Sequence, residues 1–312
     1  MTITPSLTFH PTLHVRDLDG AADWFSRVFS RDAIRWDQRW DFSLINADYP
    51  LDYSFLVHMG DVIIDVFAPT LYRLPGKATP APPSHDHLVD VAWWTDDARE
   101  LAQHLEANGV AATDQSGEPV VAANVPESFL SPDSFLLWTN PRDTGLAYEF
   151  MEIGNQHKPY YSQVADPRLE GRSIPLIADD PLGIVRASHH TIVSNSPERV
   201  RRFLGPVLGG VEMVGADESA HERALIELAG QRYDIRPADD ADEFLAKVPA
   251  GRDYYLGITF EVDSVDRVSQ HLTMKGVPHT LADGLVLTEP THTLGVQWGF
   301  CPVQTDRAVR AE

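Results

Sequence analysis

The sequence repeats one pattern four times: an apolar strand, a short polar turn, an amphipathic helix and then further strands. The copies begin near His10, Asp90, His189 and Leu256. One such unit cannot bury its apolar face alone, so repeats of this kind pack against one another. Four units therefore predict two pairs of mixed helix and strand composition.

The chain length agrees with two such pairs. At roughly 150 residues per domain, 312 residues predict two domains, each large enough to build its own core. A proline-rich stretch separates the first two units, and a longer polar stretch separates the pairs. The predicted boundaries are a first module at 1–155, a linker at 156–181, a second module at 182–303 and a tail at 304–312.

The charge balance excludes several classes of partner. The 25 Lys and Arg against 46 Asp and Glu give a net charge of −21, which repels nucleic acid and anionic lipid. The start of the chain lacks a signal-peptide pattern, and no apolar run approaches the ~20 residues that span a bilayer. We expect a cytoplasmic protein with a small-molecule substrate and no nucleic-acid or membrane partner; a homodimer is left open.

Common catalytic motifs are missing from the sequence. It contains no G-x-G-x-x-G after a strand, no G-x-x-x-x-G-K-[ST], no G-x-S-x-G and no H-E-x-x-H. Nucleotide-binding loops, serine-hydrolase elbows and zincin sites therefore lack support. The single cysteine, Cys301, excludes an intrachain disulfide and any multi-cysteine metal site.

Four segments carry a resemblance to a known family. They read HPTLHVRDLDGAADWFSRVF, DVAWWTDDARELAQHLEANGV, WTNPRDTGLAYEFMEI and HHTIVSNSPERVRRFLGPVLGG. These segments resemble the βαβββ repeat of the vicinal oxygen chelate superfamily, which includes glyoxalases, methylmalonyl-CoA epimerases, extradiol dioxygenases and antibiotic-resistance proteins. The resemblance implies an α+β fold of four βαβββ repeats paired into two glyoxalase-like modules, with a metal in a half-barrel cleft.

The resemblance also implies ligands on the first and last strand of each unit. In the first module these positions match His10, Asp65, Asp90 and Glu149, and we predict His10, Asp90 and Glu149 as the metal ligands. The residue pattern agrees, because a carboxylate on an apolar strand is costly to bury unless it meets a cation or hydrogen-bond donors. Converging acids with few Lys or Arg nearby favour a divalent cation.

Other side chains receive roles from their place on the strands. Asp65, Glu149 and His14 are the candidate catalytic groups, and by alternation His14 shares the strand face of His10. The candidate substrate-binding residues are Trp94 and Trp138. A further pair, His85 and His87, lies in the proline-rich loop out of phase with Asp90, so we interpret both as surface residues.

The second module lacks a complete ligand set. Its first strand offers His189 or His190, and helix spacing does not decide between them. Asp234 matches Asp65, but the remaining positions fall on Gly257 and Gln297, of which the first cannot ligate and the second is a poor ligand. We therefore predict a degenerate metal site in this module.

These features predict a metal-dependent enzyme that transfers a proton next to a carbonyl, as an isomerase, epimerase or lyase of the glyoxalase type. An oxygen-rich site with one imidazole suits one divalent ion, Mn²⁺, Fe²⁺, Co²⁺, Ni²⁺ or Mg²⁺. Two alternatives stay open. One is an extradiol-type non-haem iron dioxygenase, which needs a second histidine, and the other is a metal-free small-molecule binding or resistance protein.

Overall fold

The computed structural model describes residues 4–35, 50, 52–115, 117–125, 135–152, 179–213, 223–238 and 252–304. The predicted linker and tail lie almost wholly outside the described residues, so the predicted module boundaries stay predictions. In the described part, no helix is long and apolar enough to cross a membrane.

The first module is a curved mixed sheet built from two βαβββ units. Its strands pair in the order β2-β3-β4-β1-β5-β9-β8-β6-β7, and β1 runs parallel to β4 but antiparallel to β5. The strand bounds are β1 Leu7–His14, β2 Ile34–Arg35, β3 Ser54–Met59, β4 Val62–Phe67, β5 His87–Trp94, β6 Ala112–Thr113, β7 Pro119–Val120, β8 Phe135–Thr139 and β9 Glu149–Glu152.

The second module repeats this arrangement. Its strands pair in the order β11-β12-β13-β10-β14-β17-β16-β15, and β10 again runs parallel to one closing strand and antiparallel to the next unit's first strand. The strand bounds are β10 Ile184–Ser194, β11 Val211–Met213, β12 Ala224–Leu228, β13 Gln231–Pro237, β14 Tyr254–Val262, β15 His279–Ala282, β16 Leu285–Thr288 and β17 Gln297–Pro302. The predicted α+β fold of four paired repeats is confirmed.

Each unit carries one main helix on the outer face of its sheet. The helices are α1 Leu18–Trp24, α2 Ala98–Ala107, the one-turn α3 Pro141–Thr144, α4 Pro197–Arg202 and α5 Val265–Met274. Polar side chains at the N-caps fix where the longer helices start: Asp97 accepts hydrogen bonds from two backbone N–H groups of α2, and Ser264 accepts one from α5. Both caps lie in the short polar turns that precede the helices in the repeat.

The two modules share one hydrophobic core. Trp24 and Phe29, at the end of the first helix, pack on Trp298 of β17 with ring centroids 6.4 and 5.3 Å apart. On the other side, Tyr148 of the first module stacks on Phe203 of the second at 5.0 Å. Buried apolar residues of both halves form a single cluster. The two halves therefore bury apolar surface against each other, which the chain length alone does not predict.

Two histidine hydrogen bonds close the seam between the modules symmetrically. A ring nitrogen of His104, in α2, lies 2.8 Å from the carbonyl oxygen of Val207, and one of His271, in α5, lies 2.7 Å from that of Val28. Both carbonyls belong to the π-helical turns that end the first helix of each module, Phe25–Phe29 and Phe203–Val207. The two contacts are equivalent, because in each a histidine from the second helix of one module bonds the end of the first helix of the other module.

A shared core predicts that the modules unfold together. Replacing Trp298 by Ala removes a buried side chain that contacts Trp24 and Phe29 across the seam, and large-to-Ala changes of this kind cost about 3–5 kcal/mol. We expect one cooperative urea transition, followed by far-UV circular dichroism and tryptophan fluorescence, that shifts as a whole. The exposed Leu281→Ala is the control and should leave the midpoint nearly unchanged. Two separate transitions would contradict a common core.

Candidate functional site

The predicted site residues lie together on the concave face of the first module. Strand register sets them in two adjacent rows across the sheet. One row runs through Asp65, Thr12 and Asp90, and the next runs through His10, Ala92 and Glu149. Because successive side chains alternate between the faces of a strand, positions two residues apart share a face. The pairing therefore gathers the predicted groups from four strands.

The site is buried and its walls are apolar. His10, Asp65, Asp90 and Glu149 are all buried. The same face carries a small cluster that is separate from the main core, composed of Leu7, Phe9, Tyr53, Leu56, Ile63, Ala92, Trp94, Leu136 and Met151. Carboxyl groups held in such surroundings lose hydration, and their charged forms are destabilised.

Burial and mutual repulsion shift the acids strongly. Burial raises the pKa of Asp90 to about 7; a hydrogen bond from Thr12 opposes the rise, and the negative charge of Asp65 adds to it. Burial also raises the pKa of Glu149 well above its ordinary value, and the charges of Asp90 and Asp65 raise it further. Burial and mutual repulsion therefore favour the protonated forms of both acids, and a bound cation would oppose this.

A hydrogen-bond relay fixes the ring of His10. Burial lowers the pKa of His10 to about 3, so its imidazole is neutral and carries one N–H. The ring Nδ1 lies 3.3 Å from the Thr12 hydroxyl, and that hydroxyl donates its only proton to Asp90. In the tautomer with its proton on Nδ1, His10 donates to Thr12, and the Nε2 lone pair is then available as a ligand or base.

The donor set fits a divalent metal in chemistry, although the side chains are not gathered around one point. Among the residues that the structure describes, no three His, Cys, Asp or Glu side chains form a ready coordination shell. The Oδ1 of Asp90 is buried and has no hydrogen-bond partner in the described part of the chain. A hard, oxygen-preferring cation would neutralise the clustered acids, and the metal-ligand role of these residues stays a prediction.

Both predicted tryptophans border the acids, in different ways. Trp138 pairs with Glu149 across β8 and β9, and its indole donates a hydrogen bond that lowers the pKa of Glu149 against the larger effect of burial. Trp94 is only 2 % exposed and packs on Phe9 with ring centroids 4.5 Å apart. Its Nε1 is buried without a partner among the described residues. A substrate-binding role stays a prediction for both.

His14, His87 and His85 lie together at one end of the same face. His14 stacks on Phe67 at 5.2 Å, and its ring lies 6.1 Å from that of His87. Burial lowers the pKa of His14 to about 3, helped by the positive charges of His87 and Arg252. This neutral imidazole can accept a proton, and its catalytic role stays a prediction.

The interpretation of His87 as an out-of-phase surface residue is wrong. A β-bulge shifts the register, so that Thr12 pairs with Asp90 but His14 pairs with His87 three residues earlier. The extra residue reverses the alternation and brings His87 to the side of His14, partly buried. His85 is also partly buried and stacks on His87 at 4.6 Å. No single-strand pattern shows such a bulge.

A tight turn places Glu149 at the start of its strand. The turn begins at Asn140, whose side chain accepts a hydrogen bond from the backbone of Arg142. It ends at Gly145, where φ is +93° and a side chain would collide with the Asp253 carboxylate. Thr139 then accepts a hydrogen bond from the Tyr148 N–H at 3.0 Å, which sets the register one residue before Glu149.

Register settles which histidine of the second module matches His10. Thr191 pairs with Asp234 and Gly257 as Thr12 pairs with Asp65 and Asp90, so His189 is the counterpart of His10. His190 points into the shared core instead, where it stacks on Tyr233 at 5.2 Å and hydrogen-bonds Tyr255. Both histidines keep neutral rings, because burial lowers the pKa of His189 to about 4 and that of His190 to about 3.

The predicted match of Gln297 to Glu149 is wrong by two residues. Gly299 pairs with Thr259, which pairs with His189, so the true counterpart of Glu149 is Gly299. A Cβ on Gly257 would run into the Gln297 carbonyl, and one on Gly299 would run into the Thr259 hydroxyl. The positions of Asp90 and Glu149 are therefore glycines in the second module, where neighbouring strand atoms lie too close for a side chain.

Comparison with known proteins identifies the fold. No protein-family model matches the chain, and no curated protein matches it by sequence. Among solved structures, the Mn(II)-bound glyoxalase from Novosphingobium aromaticivorans matches with a TM-score of 0.57 at 14% identity, over 95% of this chain and 82% of that one. The 2,3-dioxygenase LapB from Pseudomonas sp. KL28 matches with a TM-score of 0.57 at 11% identity, over 100% and 97%.

A mutant of 4-hydroxymandelate synthase from Streptomyces coelicolor is also similar, with a TM-score of 0.54 at 13% identity, over 96% of this chain and 92% of that one. At these identities the similarity concerns the fold. The chain has the two-module fold of the vicinal oxygen chelate superfamily, as the sequence resemblance implied.

The raised pKa of Asp90 predicts a pH-dependent stability gap between the wild type and Asp90→Asn. With the pKa at 3.8 unfolded and about 7 folded, the wild type loses stability as pH rises through this window, and the variant lacks this loss. At about 1.4 kcal/mol per pKa unit, the variant gains at most about 4 kcal/mol relative to the wild type between pH 4 and pH 8.

The measurement is urea unfolding in EDTA at both pH values. The matched control is Asp23→Asn, which changes an exposed acid on α1. A stability gap between the wild type and Asp90→Asn that is the same at both pH values would contradict the raised pKa of Asp90.

Proposed function

We propose that this chain is a metal-dependent enzyme that moves a proton next to a carbonyl group of a small oxygen-chelating substrate. The observation that carries the proposal is the meeting of one imidazole and three buried carboxyls on two adjacent rows of one concave face. Such a cluster is costly for a structural core, because each acid raises the cost of ionising the next. Sites of this kind are typical of function.

His10, Asp90 and Glu149 would hold the metal. The lone pair of His10 Nε2 and the carboxylates of Asp90 and Glu149 make a set of one nitrogen and several oxygens, which suits Mn²⁺, Fe²⁺, Co²⁺, Ni²⁺ or Mg²⁺. When bound, the ion supplies Lewis acidity to neighbouring substrate oxygens and so acidifies the adjacent C–H. The apolar wall around the acids excludes water that would compete for the substrate.

Asp65 is the proposed base. It sits on β4, across Thr12 from Asp90, so it faces the same space from the opposite side of the site. We assign Glu149 mainly to coordination, because the Asn140–Gly145 turn and the Thr139 hydrogen bond hold the start of its strand rigidly. Asp65 then removes the proton, and its return at another atom gives isomerisation or epimerisation; loss of a leaving group instead gives a lyase.

Metal content tests the ligand assignment. We expect about one divalent ion per chain after loading and gel filtration, measured by elemental analysis, and little in a His10→Ala, Glu149→Ala double variant. The matched control is His189→Ala with Asp234→Asn, the register counterparts of His10 and Asp65 in the second module, which should leave the metal content unchanged. A wild-type protein that retains no metal would instead favour a metal-free binding protein.

Proton exchange tests the base. Asp65→Asn should keep its metal and lose solvent exchange of the substrate α-proton by roughly 10²–10⁴-fold, the usual contribution of a positioned base. Exchange is followed by NMR in D₂O once a panel of hydroxy and keto carbonyl compounds has yielded a substrate. Glu149→Gln should lose metal and exchange together. Unchanged exchange in Asp65→Asn would move the base elsewhere, with His14 the next candidate.

A second candidate reaction is oxidative ring cleavage of catechols. His14 lies on the same face as His10, so these two imidazoles and Glu149 offer the residue types of a two-histidine, one-carboxylate iron site. Oxygen consumption with catechol by the Fe²⁺-loaded protein, lost in His14→Ala, would favour this reaction. Its absence, together with α-proton exchange, would favour proton transfer.

A further inference from the structure

The concave face of the second module is charged where that of the first is apolar. Arg232 and Arg236 of β13 flank Asp234, and they occupy the places that Ile63 and Phe67 hold beside Asp65 on β4. Arg223, just before β12, reaches the same carboxylate. The two faces have thus diverged in charge while keeping one backbone pattern.

A buried carboxylate organises two of these arginines. Asp234 is 1 % exposed; it accepts hydrogen bonds from Arg223 Nε and Nη2 at 2.7 and 2.8 Å, and from Arg236 Nε at 2.7 Å. Desolvation alone would raise the pKa of Asp234, but these two arginines hold it below its ordinary value. The bidentate geometry fixes the plane of the Arg223 guanidinium group, and a single Nε–H bond anchors the Arg236 guanidinium group beside it.

The outward sides of the two guanidinium groups are unused in the described part of the chain. Arg236 spends only its Nε on Asp234, and the Nη1 of Arg223 has no partner there. The side chains of Arg223 and Arg236 are 54 % and 37 % exposed. Several N–H donors therefore face solvent from side chains whose orientation is already set.

The local charge favours an anion. Four arginines on or beside this face, Arg186, Arg223, Arg232 and Arg236, oppose three carboxylates that pair with them, Asp234, Glu261 and Glu227. The described residues of this face therefore carry a net charge of about +1 in a chain of −21. The bidentate Arg223 alone balances the charge of Asp234, so Arg236 adds a positive charge beyond neutralisation.

We infer that Arg223 and Arg236, held in place by Asp234, form a binding site for the oxyanion group of a small molecule, either phosphate or carboxylate. Guanidinium groups present paired N–H donors that match both kinds of group. The site is separate from the acids of the first module, so it does not depend on the function proposed above.

Thermal unfolding of the whole protein at constant ionic strength tests this inference. Inorganic phosphate or acetate should raise the Tm along a saturation curve, whereas chloride should not. Saturation by phosphate or by acetate supports the site and shows which group it takes. A Tm that responds to neither, or only in proportion to ionic strength, overturns it.

Substitutions test whether the rise in Tm comes from anion binding at Arg223 and Arg236. Arg223→Gln and Arg236→Gln should each weaken the apparent affinity by about tenfold or more, which corresponds to about 1.4 kcal/mol. The matched control is Arg267→Gln, an exposed arginine of α5 whose ion pair with Asp263 spans 3.6 Å, and it should bind as the wild type does. His10→Ala should also bind normally.

If a Gln variant fails to fold, Arg223→Lys decides instead. It keeps the charge but loses the bidentate geometry, so it should still bind more weakly than the wild type. Wild-type affinity in every folded variant of Arg223 and Arg236 would overturn the assignment.

Discussion

The burial of the outer sheet faces is the constraint on which the molecule depends. Each curved sheet presents an apolar outer surface that its own helices cover only in part, so the rest must be covered by the other half of the chain. Trp298 therefore packs on both Trp24 and Phe29, and Phe203 stacks on Tyr148. This arrangement leaves the inner faces of both sheets outside the main hydrophobic core, so polar side chains can lie there.

The two inner faces use that freedom in opposite ways. In the first module, Asp65 and Asp90 flank Thr12 within apolar walls, and the charges near Glu149 that shift its pKa are other carboxylates. In the second module the single retained acid, Asp234, is enclosed by arginines. One backbone therefore supports an acidic face with apolar walls and an arginine-rich face, and side chains at a few register positions decide which.

Much of this architecture could be predicted from local patterns. Repeats, helix starts and the shared face of Asp90 and Trp94 follow from capping residues and from alternation along one strand, which act over a few residues. The choice between His189 and His190, and the match of Gly299 to Glu149, required pairings between distant strands. Single-strand alternation could not place His87, because a bulge on its strand reverses it.

The shared core also could not be predicted from the sequence, because it depends on contacts between distant segments. Chain length bounds how much apolar surface can be buried, but it does not say which helix covers which sheet. The contacts of His271 with Val28 and of His104 with Val207 join residues more than a hundred positions apart. Nothing in either segment alone distinguishes a partner in the same module from one in the other.

The glycines of the second module limit what its concave face can hold. At Gly257 and Gly299, which match Asp90 and Glu149, neighbouring strand atoms fill the space a side chain would need. Carboxylates introduced there by point substitution would force β14 and β17 apart. Transplanting the acids of the first module onto this face would therefore require both strands to be rebuilt together.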